Sequence, residues 1–176
     1  MPVIERRITI PTPPERVWEV LADVAAQPQW MRDLKSIRFE GRPGDGFEAI
    51  GVGTRAVGTV RMFGFEQSDP VEIDAFEPPR HFGLRHLGGF TGRGDFWLEP
   101  VGGGDATRVR WREELWSPVA RAGRVGRLLD RLFTPVFEVV FRDDLRRLRE
   151  IAVSGGPAAG TPRRGPPTAA PPGGPG

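Results

Sequence analysis

Residues 3–10 alternate, with Ile4, Ile8 and Ile10 on one side and Arg6 interrupting that side. A period of two is the mark of a strand. The stretch that follows, "PTPPERVWEVLADVAAQPQW", changes period at once. Val17, Trp18, Leu21 and Val24 or Ala25 recur at helical spacing. Thr12 reads as an N-cap, Pro13 as a first-turn proline and Glu15 as the second half of a capping box. Pro28 should force a break, leaving "AQPQWMRDL" as a second short helix or turn with Trp30 pointing back to the body. Strand-like runs then follow at about 35–41, 52–62, 65–76, 80–88, 92–100 and 106–116. The junctions between them are rich in Gly, Pro and Asp ("RPGDGFEAIGVG", "MFG", "EPPR", "LGGFTG", "VGGGDAT"). Such short connections predict sequential antiparallel pairing, and with the first strand a seven-stranded sheet. From about Val119 to Ala152 the period becomes helical again. Val125, Leu128, Leu129, Leu132, Phe133, Val136, Phe137, Val140, Phe141, Leu145, Leu148 and Ile151 form a broad apolar stripe, which Pro135 should kink or split. A long apolar helix after a meander is expected to lie across the concave face of the sheet.

A strand, two short helices, six strands and a long helix make up the helix-grip order. In "ITIPTPPERVWEVLADVAAQPQW", "GVGTRAVGTVRM", "FEPPRHFGLRH" and "FWLEPVGGGDATRVRWREEL" the chain resembles the START-like SRPBCC superfamily, in its polyketide cyclase/dehydrase-type branch. The likeness covers about residues 3–152. It implies an α+β fold with a hydrophobic cavity between the curved sheet and the last helix. It transfers no active site, because members of the superfamily cyclise, hydrolyse, carry lipids or merely bind.

Composition adds bounds. The 176 residues, 38% hydrophobic and 27% charged, suit one globular domain. From Ser154 onward, 14 of 23 residues are Gly or Pro, so the expected organisation is a ligand-binding domain over 1–153 and a disordered Pro/Gly/Ala-rich tail over 154–176. "PRRGPP" in that tail is the candidate for a partner's aromatic groove. The calculated pI near 10.2 reflects arginine in place of lysine, Lys35 being the single lysine. Arg163 and Arg164 in the tail supply the whole excess charge of +2, so the body is formally neutral and nucleic acid is not an expected partner. The lack of cysteine removes disulfides and thiolate chemistry. Neither a secretory leader pattern nor a span of ~20 apolar residues is evident, which makes the cytoplasm the expected location.

Alternation sorts the polar candidates. In "HFGLRHL", Phe82, Leu84 and His86 share a face. In "TRVRWREEL", Thr107, Val109, Trp111, Glu113 and Leu115 share one, with Arg108, Arg110 and Arg112 opposite. Gln67 and Asp69 precede Val71, Ile73 and Ala75 on a common face, and Gly94 beside Phe96 and Leu98 should leave room for a ligand. The expected catalytic pair is His86 with Glu113, a histidine and an apolar-shielded carboxylate able to promote enolisation, dehydration or aldol cyclisation of a polyketone. The other arrangement leaves His86 solvated at a strand end and Glu113 paired with an arginine. The expected cavity wall is Trp30, Phe82, Leu84, Phe96, Leu98, Trp111, Leu132, Val136 and Val140. His81 reads as an exposed strand-start residue. With two histidines and no cysteine, no metal site is expected, and the chemistry above needs no cofactor. No P-loop or G-x-S-x-G context occurs.

Three functions fit these readings. The first is binding of a small hydrophobic molecule, with or without cyclase or dehydratase action. The second is a non-catalytic carrier or lipid sensor that meets membranes through Arg121, Arg124, Arg127 and Arg131. Those arginines read in the first place as the solvated face of a packed helix, and membrane contact is not the favoured reading. The third is an adaptor acting through its tail.

Overall fold

The computed structural model describes residues 3–40, 50–62, 64–116 and 123–155; the side chains of 62 and 124–134 are not described. The junction over 41–49, the tail from 156, the arginine stripe at 121, 124, 127 and 131, and Leu132 therefore lie outside the described side chains.

Seven strands form one antiparallel sheet: β1 (Val3–Ile10), β2 (Leu34–Phe39), β3 (Arg55–Met62), β4 (Phe65–Glu77), β5 (His81–Leu87), β6 (Thr91–Val101) and β7 (Ala106–Trp116). Their order is β1-β7-β6-β5-β4-β3-β2, so the meander pairs sequentially and β1 closes onto β7. Among the described residues, helix α1 (Pro14–Ala22), the 3₁₀ helix Val24–Gln29 and the long helix α2 (Gly123–Ser154) give an α+β helix-grip architecture, and one further 3₁₀ turn (Gly102–Gly104) joins β6 to β7. Among the described residues no helix is long and apolar enough to cross a membrane.

Helix α1 starts one residue later than its sequence motif predicts. Pro13 stands at the N-cap and Pro14 in the first turn, with no side-chain cap. Thr12 is buried and does not cap: its carbonyl accepts the Thr107 hydroxyl at 2.7 Å, while the first helical amides, of Arg16 and Val17, bond to the Pro13 carbonyl. Val17, Trp18, Val20, Leu21 and Val24 then face the core while Ala25 is exposed. Pro28 lies within the 3₁₀ helix, whose start is held by the Asp23 carboxylate accepting from the Ala26 amide at 3.1 Å. Trp30 follows, fully buried and edge-on to Phe96.

Helix α2 runs through Pro135 as one element, not two. Pro135 is on the exposed side, where water can satisfy the carbonyl it leaves without a donor. Phe141, Leu145, Leu148 and Ala152 seat the helix in the core. Arg6, the interruption in the apolar side of β1, reaches across to Glu138 of α2 at 2.6 Å.

One register change matters inside. Between Ile73 and Ala75 the β4–β5 pairing shifts, so that Phe76 is opposite Phe82. Phe76 accordingly joins the aromatic cluster with Trp18 and Phe82. Ala75 turns instead to the outer side, against Gly83. A bulge adds a residue to one strand and reverses which side chains face in.

Candidate functional site

A cavity of about 180 Å³ lies between the concave side of the sheet, α2 and the 3₁₀ helix. Its wall is mainly carbon, including Ile73, Phe82, Leu84, Phe96, Trp111, Phe137, Val140 and Phe141. A stack of rings backs it: Phe96 on Trp111 at 4.8 Å and Trp111 on Phe141 at 4.0 Å between centroids. Of the expected wall residues, Phe82, Leu84, Phe96, Trp111 and Val140 line this space. Trp30 and Leu98 do not; both are packed into the core behind it. Val136 is not on the wall either, being 41% exposed, because the turn of α2 after Pro135 directs Phe137 and Val140 inward instead.

His86 and Glu113 meet on the wall, Nε2 to Oε1 at 3.1 Å. They are not cross-strand partners: Gly92 of β6 is opposite His86 and Gly94 opposite Glu113. The two side chains approach each other over that glycine-bearing strand. A Cβ at Gly94 would sit 2.5 Å from Glu113 Oε2, so a side chain there would push the carboxylate aside. The room that Gly94 opens is thus filled by the carboxylate and not by a ligand. Gly88 does the same for Asp69, whose Oδ1 occupies the space a Cβ would take.

Asp69 is the third member. His86 Nδ1 donates to Asp69 Oδ2 at 3.0 Å, and the Phe90 amide donates to Asp69 Oδ1 at 3.2 Å. Glu113 receives a second donor, the Trp111 indole N–H at 2.9 Å. Both carboxylates are 5% exposed. Burial is the largest single influence on His86 and opposes its charge. The hydrogen bonds and charges of Asp69 and Glu113 together outweigh it and raise the ring to about 9. At neutral pH His86 is therefore an imidazolium with both N–H groups engaged. It stores a proton, and base character falls to the carboxylates.

A second polar pole lies where the 3₁₀ helix meets α2, formed by Gln27, Asp33 and Asp144 on the cavity wall. Asp144 is 3% exposed and accepts the Arg32 amide at 2.9 Å. Burial above all, then the charge of Asp33, lifts it to about 6 against that hydrogen bond. Burial also raises Asp33, with Arg32 opposing. Sequence reasoning missed this pole, because an aspartate in "RDDLRRLRE" looks like part of a solvated helix face.

His81, expected to be exposed, is part-buried on the outer side of the sheet. Its Nε2 lies 2.7 Å from Asp95 Oδ1 and its ring stacks on Trp97. It takes no part in the cavity. Among the described residues no group of three metal-ligating side chains has metal-site geometry.

The family described as polyketide cyclase / dehydrase and lipid transport matches residues 1–153. No curated protein matches the sequence. Among solved structures, TTHA0849 from Thermus thermophilus is 21% identical, with a TM-score of 0.68 over 89% of this chain and 100% of that one. The Zhui aromatase/cyclase from Streptomyces sp. R1128 is 17% identical, with a TM-score of 0.66 over 90% of this chain and 98% of that one. A START superfamily protein from Mycobacterium smegmatis is 17% identical, with a TM-score of 0.57 over 87% of this chain and 94% of that one. At these identities the likeness is one of fold.

Proposed function

Since the chain belongs to the polyketide cyclase/dehydrase and lipid transport family, we propose that its cavity binds a small apolar carbonyl compound and dehydrates or enolises it. The observation that carries this reading is the Asp69–His86–Glu113 array, buried on the wall of an otherwise apolar cavity. A volume of about 180 Å³ suits a guest of one ring or a short chain, since a cavity of ~150 Å³ holds benzene.

For a β-hydroxy ketone the steps balance as follows. Glu113 takes the proton α to the carbonyl, and the imidazolium of His86 gives a proton to the β-hydroxyl. Water leaves and the enone forms. The proton on Glu113 then returns to His86 across their 3.1 Å hydrogen bond, restoring both groups. Asp69 holds the ring at its other nitrogen and keeps it charged. The Trp111 N–H fixes the carboxylate that acts as base. No cofactor enters these steps.

A second reading is favoured by one observation: both ring nitrogens of His86 already have protein partners. In that reading the array is structural and the protein carries its guest unchanged. The two part on a single experiment with 4-hydroxy-4-phenylbutan-2-one, following enone formation by absorbance and binding by Trp fluorescence. Catalysis above buffer, abolished in His86→Ala and Glu113→Gln with binding kept within a few-fold, supports the enzyme. Binding without turnover leaves the carrier. Absence of binding, together with no rise in melting temperature across small ketones and alcohols, removes both.

A further inference from the structure

The charges around the cavity restrict the chemistry of its guest. Four carboxylates lie on the wall, Asp33, Asp69, Glu113 and Asp144, and among the described lining residues His86 is the only basic side chain. Asp69 and Glu113 are both bonded to His86, so the sheet-side pole is internally compensated. The helix-side pole has no bonded cation among the described residues, and the charges of Arg147 and Arg32 offset its burial only in part. Asp144 is only 3% exposed, and among the described residues only the Arg32 backbone amide donates to it, at Oδ1. The nearby Arg32 and Arg147 side chains are exposed and absent from the wall. Asp144 Oδ2 is thus an acceptor on the cavity wall without a donor among the described residues, beside a second carboxylate, Asp33.

We propose that the guest carries a cationic nitrogen, an amine or ammonium group, which seats on Asp144 Oδ2 with Asp33 beside it while the apolar body lies on the aromatic wall. A buried carboxylate with a single donor is costly, and a bound cation supplies an opposite charge and a second hydrogen bond together. The rings of Phe137 and Phe141, two turns and one turn before Asp144 on α2, line the same space and place aromatic surface near the bound group. An anionic headgroup would instead meet two carboxylates and, among the described lining residues, no arginine or lysine. A free fatty acid, an obvious cargo for an apolar cavity, should on this argument bind more weakly than an amine. The inference rests on the preceding reading that the cavity is a binding site for an apolar guest.

The test uses three probes with one phenyl body and different heads: 2-phenylethylamine, 2-phenylethanol and 3-phenylpropanoate. Their dissociation constants are measured by calorimetry at pH 7.5 with the full chain, where the amine is protonated and the acid ionised. The expected order is amine tightest, about tenfold or more below the alcohol, with the carboxylate weakest. In Asp144→Asn, which keeps an oxygen for the Arg32 amide, the amine should fall to the affinity of the alcohol while the alcohol stays within about twofold. Asp33→Asn should give a smaller loss in the same direction, and it carries the test should Asp144→Asn fail to fold. An amine no tighter than the alcohol, or a preference that survives both substitutions, overturns the cationic guest but leaves apolar binding intact. Failure of all three probes to bind overturns the cavity reading and this inference with it.

Discussion

Gly94→Ala is the smallest change that should dismantle the Asp69–His86–Glu113 array. The added methyl group would lie 2.5 Å from Glu113 Oε2 and 3.0 Å from both Cδ and Oε1. Gly94 and Glu113 are direct cross-strand partners within the sheet, so the backbone has little freedom to separate them. The carboxylate must move, and it can do so only by leaving His86 Nε2, Trp111 Nε1 or both. Hydrogen bonds to charged groups contribute about 1.5–3 kcal/mol each, and overpacking costs a similar amount. The expected destabilisation is about 2–4 kcal/mol, read from urea unfolding. His86, deprived of one of its two carboxylates, should titrate clearly below about 9, followed through its ring-proton resonance. Glu113→Gln provides the comparison: it removes the charge without the added bulk, so it should lower the His86 pKa as much and stability less. A Gly94→Ala protein with His86 still at about 9 and stability within about 0.5 kcal/mol of the parent would refute the account of why glycine stands there.

Other outcomes follow from the same geometry. The pKa of His86 is raised in the folded state, from 6.5 to about 9, so its contribution is fully present below pH 6.5 and is lost as pH rises through 9. On the linkage relation that is on the order of 3 kcal/mol; stability measured from about pH 6 to 9.5 should fall in the parent and stay flatter in His86→Gln. Asp144 is also raised, from 3.8 to about 6, but as an acid it destabilises the fold when ionised, and this sets in as pH rises from 3.8 through 6. Asp144→Asn should therefore be more stable than the parent at pH 7, by up to about 3 kcal/mol, and near parity at about pH 3.5 by thermal unfolding. Arg6→Ala should cost no more than about 1 kcal/mol, since its pair with Glu138 is partly exposed; a larger loss in urea would mean that Arg6 does more than tether α2.

The fold was largely legible because its strands alternate cleanly and its turns are marked by Gly, Pro and Asp. Alternation also brought His86 and Glu113 to one face. It did not expose Asp69 as the partner of His86, although it put both facing inward. His86 is paired with Val71, and the contact to Asp69 is diagonal, so it depends on register and not on periodicity. Ala75 was misread for a related reason, as the bulge after Ile73 leaves no strong mark in "VEIDAFEPP". Thr12 satisfied a capping motif, yet a tertiary bond from Thr107 took its carbonyl and its place in the core. Asp144 could not be separated from its charged neighbours by type alone. Only the contact between α2 and the chain at Arg32 singles it out.

The closure of β1 onto β7 also has a consequence for how the chain is made. Val3 pairs with Glu114 and Ile10 with Thr107, so the first strand finds its partner only after roughly a hundred further residues have been added. At ~5–20 residues per second, that is a wait of ~5–20 s on the ribosome. Throughout it Ile4 and Ile10, fully or nearly buried in the finished fold, and the apolar side of α1 remain without their covering. A nascent chain halted before β7 would leave β1 as an unpaired edge, open to contact with other chains for that whole interval.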